Sequence, residues 1–79
     1  MRLDKYLKVS RLIKRRTVAN EACDAGKVIV NGKSARASYD VKEGDVLEIT
    51  RGAKSVKVRV TQVKEVVRKE DAAAMYEAV

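Results

Sequence analysis

The apolar positions of this chain change their period partway along. Leu3, Tyr6 and Leu7 follow i, i+3, i+4 spacing, which predicts a short amphipathic helix over residues 2 to 9. Arg2, Lys5 and Lys8 fall away from that apolar stripe. The next stretch, Ser10-Arg11-Leu12-Ile13-Lys14-Arg15-Arg16, is compatible with a longer helix or with a basic connector anchored by Leu12 and Ile13. Thr17 has the hydroxyl of an N-cap, and Val18, Ala19, Ala22 and Cys23 resume helical spacing. Gly26 suits the left-handed C′ position, so a second helix is expected from 18 to 25.

Beyond Gly26 the period falls to two. Lys27-Val28-Ile29-Val30 reads as a strand, and Asn31-Gly32 as a two-residue hairpin turn. The returning segment, Lys33-Ser34-Ala35-Arg36-Ala37, has the polarity of an edge strand. Lys42-Glu43-Gly44-Asp45 marks a turn before the strand Val46-Leu47-Glu48-Ile49-Thr50, and Arg51-Gly52-Ala53-Lys54 marks another. Val56-Lys57-Val58-Arg59-Val60 then alternates, valines inward and cations toward water. Residues 69 to 78 have high helix propensity and early acidic residues, so they read as a short C-terminal helix. The expected fold is α+β: two N-terminal helices packed on a small antiparallel sheet, residues 1–79 forming one domain.

Charge sharpens this picture. Residues 1 to 36 hold ten cations and three anions (Asp4, Glu21 and Asp24), or 10 − 3 = +7. Residues 37 to 79 hold eight of each, so the whole net charge of +7 belongs to the N-terminal part. One-ended charge is the footprint of a polyanion partner, although a solvated basic face is the plainer alternative. Arg15 and Arg16 stand where a second helix begins, and cations there oppose the helix dipole. A bound phosphate reverses that sign, because free N–H groups and two guanidiniums then converge on one anion. Arg2, Lys5, Lys8, Arg11 and Lys14 would flank the site if the helices pack through Leu3, Leu7, Val18 and Ala22.

Composition narrows the chemistry. With no histidine and one cysteine, imidazole catalysis, a structural zinc site and an internal disulfide are excluded. The four glycines are isolated, so there is no phosphate-cradling glycine loop, and no cofactor or metal is expected. No apolar run reaches membrane-spanning length and no secretory pattern opens the chain, which points to the cytoplasm. Cys23 falls on an apolar face and reads as a small buried hydrophobe. Three tyrosines are the only aromatics, so stacking on splayed bases is less expected than contact with the backbone and shape of folded RNA.

Four segments in order, Arg2-Leu3-Asp4-Lys5-Tyr6-Leu7, Arg16-Thr17-Val18-Ala19, Gly26-Lys27-Val28-Ile29-Val30-Asn31-Gly32 and Gly44-Asp45-Val46-Leu47, resemble the S-four RNA-binding domain family. The likeness covers residues 2 to 50. Ala22 and Cys23 are smaller than the aliphatics usual in that family's second helix. The resemblance implies a two-helix face that grips structured RNA, with contacts at Arg2, Lys5, Arg15 and Arg16, and at Lys27, Asn31 and Lys33 around the hairpin. The chain as a whole, tail included, looks like the short stand-alone members that serve bacterial ribosome quality control. That likeness implies a monomeric, non-enzymatic factor on an obstructed large ribosomal subunit. It would contact large-subunit rRNA and peptidyl-tRNA while an alanine-tailing quality-control factor extends the stalled chain. Rival expectations are a recycling role like that of heat-shock protein fifteen, a general RNA chaperone, and a fragment of an RNA-modifying enzyme.

Overall fold

The computed structural model describes all 79 residues. It contains α1 (Leu3–Val9), α2 (Arg16–Asp24), β1 (Val28–Val30), β2 (Lys33–Ser34), β3 (Val46–Arg51), β4 (Lys54–Val60), a 3₁₀ helix (Lys69–Met75) and β5 (Tyr76–Ala78). The strands form one antiparallel sheet in the order β2-β1-β3-β4-β5. This is the α+β arrangement that the apolar pattern predicts.

Register explains where the core lies. Val30 pairs with Leu47 and Leu47 with Val58, while Val28 pairs with Ile49, so these side chains share one face of the sheet. Leu3, Tyr6 and Leu7 of α1 and Ala19 and Cys23 of α2 close over that face. Each large side chain taken fully out of water there contributes about 1.5–3 kcal/mol. Val56, opposite Ile49, lies beyond this cover and is 48% exposed, so the inward valine pattern holds only for Val58 and Val60.

The turns follow local chemistry. Asn31 and Gly32 both have positive φ (50° and 85°), the backbone that a right-twisted two-residue hairpin needs. The returning strand is shorter than expected: only Lys33 and Ser34 pair, and Ala37 turns inward to donate its N–H to Asp24. The stretch after α1 is a connector, not a helix extension. Arg11 adopts φ 64°, and the Ile13 N–H returns to the Leu7 carbonyl, burying Ile13.

Three further expectations are corrected. Thr17 is not a cap: α2 starts earlier, with Arg15 extended at the cap position and its carbonyl accepting from the Ala19 N–H. The interhelical seam runs through Ala19 and Cys23, and Val18 is exposed. The tail is not one helix over 69 to 78. After the 3₁₀ turn, Tyr76–Ala78 extends and covers the open edge of β4, so sheet pairing outweighs helix propensity.

Candidate nucleic-acid interface

A buried carboxylate organises the basic end. Asp4 sits in the first turn of α1, where its charge favours the helix dipole, and its side chain is 3% exposed. Arg2 donates to it from Nε at 3.1 Å and from a terminal nitrogen at 3.4 Å. The Arg16 Nε lies 3.4 Å away, the Asn20 amide donates at 3.2 Å, and the Lys5 N–H donates at 2.8 Å. Burial alone would raise the Asp4 pKa, but these donors, Arg2 first, outweigh it and bring it to about 2. The carboxylate stays charged and ties α1 to the first turn of α2. Arg2 and Arg16 keep about half of their side-chain surface in solvent, so their outward N–H groups remain available.

Around this pair the expected cations are laid out unequally. Lys5 is held by Glu65 of the later chain, an ion pair that lowers the glutamate's pKa. Lys8, Arg11, Lys14 and Arg15 are exposed on the end of α1, the connector and the cap of α2, with no carboxylate within ion-pairing distance. Arg15 offers no side-chain oxygen to the first-turn N–H groups of α2, which therefore stay free for an external acceptor. The interhelical packing thus brings Arg2 and Arg16 to one carboxylate, and places the connector cations beside them in sequence.

The hairpin forms a separate cationic corner. Lys27 and Lys33 are exposed and unpaired. The Asn31 side chain is turned inward to the protein: its amide donates to Asp45 at 3.0 Å and its carbonyl oxygen accepts from the Val46 N–H at 2.9 Å. Asp45 also accepts from the Tyr39 hydroxyl at 2.9 Å and the Lys42 N–H at 3.0 Å. Burial acts upward on its pKa, and the donors, led by the Lys42 N–H, outweigh it and lower the value. Asn31 thus stiffens the hairpin tip from within.

Two chemical alternatives fade on this geometry. Cys23 is buried, and burial, aided by Asp4 and Asp24, pushes its thiol up to about 11, so it is not a thiolate at neutral pH. Tyr6 is fully buried and donates its hydroxyl to the Met75 carbonyl at 2.7 Å, so it is a core residue and not a stacking platform. Sequence reasoning did not single out Asp4, Asn20, Asp45 or Tyr39 as organising groups. The available signal was Asp4 itself, one of three anions among the first 36 residues and adjacent to the apolar stripe of α1.

Comparison with known proteins gives the family. The chain is 61% identical over 77 residues to an RQC P-site tRNA stabilizing factor of Halalkalibacterium halodurans, covering 98% of this chain and 88% of that one. It is 57% identical over 76 residues to the Bacillus subtilis protein of the same name, covering 96% and 88%. A trimeric structure of Vibrio cholerae Heat Shock Protein 15 superposes with a TM-score of 0.93 at 28% identity, over 100% of this chain and 81% of that one. The S4 domain model matches residues 1–47, the segment that carries both helices, the connector, the hairpin and both buried aspartates. With that match and relatives of this identity over nearly its full length, the chain belongs to the S4 domain family.

Proposed function

We propose that this chain is a non-enzymatic, monomeric RNA-binding factor of bacterial ribosome quality control, acting in the cytoplasm on obstructed large ribosomal subunits. Residues 1–79 work as one RNA-binding unit that touches large-subunit rRNA and peptidyl-tRNA. Neutralising phosphates on both RNAs fixes their relative position, holding the tRNA while an alanine-tailing factor extends the stalled chain. Arg2, Lys5, Lys8, Arg11, Lys14, Arg15 and Arg16 are the main contacts, with Lys27 and Lys33 contributing at the hairpin corner that Asn31 holds rigid. The observation that carries this reading is the Asp4 clamp. It holds Arg2 and Arg16 together on one carboxylate, next in the chain to four exposed cations that have no acidic partner, an arrangement suited to sugar–phosphate ridges. The names of the near-full-length relatives supply the ribosomal setting.

The test is binding to purified large subunits across a salt series. With about five phosphates neutralised, the log–log slope should be roughly −3.5 to −4.5. Arg16→Ala should cost roughly tenfold in affinity, one charge-assisted contact of about 1.4 kcal/mol, in a chain that stays folded despite the lost tie to Asp4. Salt-independent binding, or full retention of Arg16→Ala, would contradict the proposal. The Heat Shock Protein 15 superposition favours a second reading, subunit recycling without tailing. Co-purification with the tailing factor separates the two.

A further inference from the structure

Only one flank of α2 is taken up by the Asp4 cluster. At 3.6 residues per turn, Arg16 and Asn20 lie on one side of the buried Ala19–Cys23 stripe, and Val18 and Ala22 lie on the other. On this second side Val18 floors a continuous open groove. Lys14 and Arg15 wall one end of it and Lys27 the other, with Arg51 between them lining both halves. Arg51 comes from the charge-neutral part of the sequence, and the fold delivers it: the Thr50 N–H donates to the Lys27 carbonyl at 3.0 Å, seating the end of β3 beside Lys27. Gly52, at φ 61°, opens the tight turn that keeps Arg51 in register with Lys54. None of the four wall cations has a carboxylate partner, and Glu21 is the one acid on the rim.

We propose that this groove is a second RNA-backbone site, with Lys27 at its far end and Arg51 midway along it. A phosphodiester strand lying along it would meet cations at both ends while ribose edges cover the exposed Val18. The inference rests on the RNA-binding reading above and deepens it: one RNA is held on each flank of α2, which gives a small chain a physical means of bridging two. Charge complementarity selects the occupant, since four unpaired cations face a single rim carboxylate.

The full chain carrying Lys27→Ala with Arg51→Ala is compared with Arg16→Ala for binding to purified bacterial large ribosomal subunits across a salt series. The double variant should bind roughly tenfold more weakly, and its log–log slope should flatten by about 1.4–1.8, the contribution of two phosphates. Lys27→Arg with Arg51→Lys should keep the parent slope. If Arg16→Ala weakens binding while the double alanine variant keeps affinity and slope, the groove proposal fails and the RNA-binding reading stands. If neither variant changes binding, both fail. Lost affinity at an unchanged slope would show that the groove makes non-ionic contacts and would overturn the proposal. Should the double variant melt early, Arg51→Ala alone is read, with half the slope change expected and an unchanged slope counting against the site.

Discussion

Asp4 and Asp45 are both buried carboxylates whose pKa is held low by donors, yet they organise their surroundings in different currencies of charge. Asp4 gathers two guanidiniums, so its bonds are charge-assisted and its partners are the same groups that face solvent. Asp45 gathers neutral donors (the Asn31 amide, the Tyr39 hydroxyl and the Lys42 N–H) and locks a hairpin whose cations remain free of it. The first device trades some positive charge for placement of a pair of arginines. The second stiffens a scaffold and leaves the surface charge alone. Removing each should therefore damage different properties.

The largest expected effect is on stability. Asp45→Ala leaves three donors at the hairpin tip without their acceptor, and should lower stability by about 2–4 kcal/mol in thermal or urea unfolding. Below its melting point the variant should still bind large subunits within a few-fold of the parent. Next comes Asp4→Asn, which is expected to bind roughly tenfold more weakly despite its greater net positive charge, because Arg2 and Arg16 lose their common anchor. Tighter binding by Asp4→Asn would show that the arginines act only as diffuse charge.

The same variant carries a pH signature. A carboxylate lowered from 3.8 to about 2 stabilises the fold fully above its ordinary range, and this contribution fades as pH falls toward the lower value. Asp4→Asn should thus be about 1 kcal/mol less stable at neutral pH, the gain being discounted for the exposed arginine ends. The two stability curves should converge between pH 3.8 and about 2. A constant gap across that window would remove Asp4 as the titrating group. The smallest effect belongs to Arg59→Ala on β4. Its exposed pair with Glu77, at 2.8 Å, should contribute under about 1 kcal/mol, and subunit binding should be unchanged.

Much of the fold was legible because local chemistry and tertiary demand agree there. Gly26, and Asn31 with Gly32, sit at positive φ where a helix stop and a hairpin turn were expected. The tail was legible in part: Lys69–Met75 is helical as its composition suggests, while the unpaired edge of β4 that draws Tyr76–Ala78 into a strand is visible only once the sheet exists. Thr17 was misread because the start of α2 is decided by the Asp4 clamp on Arg16 and not by a hydroxyl cap. At the site, periodicity located the cations but could not say which would be neutralised. Lys5 meets Glu65 sixty positions later, and Arg51 reaches the α2 flank only through the bond between Thr50 and Lys27.

The Tyr6 hydroxyl finds its acceptor on Met75, nearly the whole chain away, and the same carbonyl also receives the Thr61 N–H. α1 therefore gains this bond only when residues 69 to 75 fold back against it. The order of the basic N-terminal face is thus coupled to a turn sixty-nine positions away, and loosening the 3₁₀ segment would loosen α1 with it.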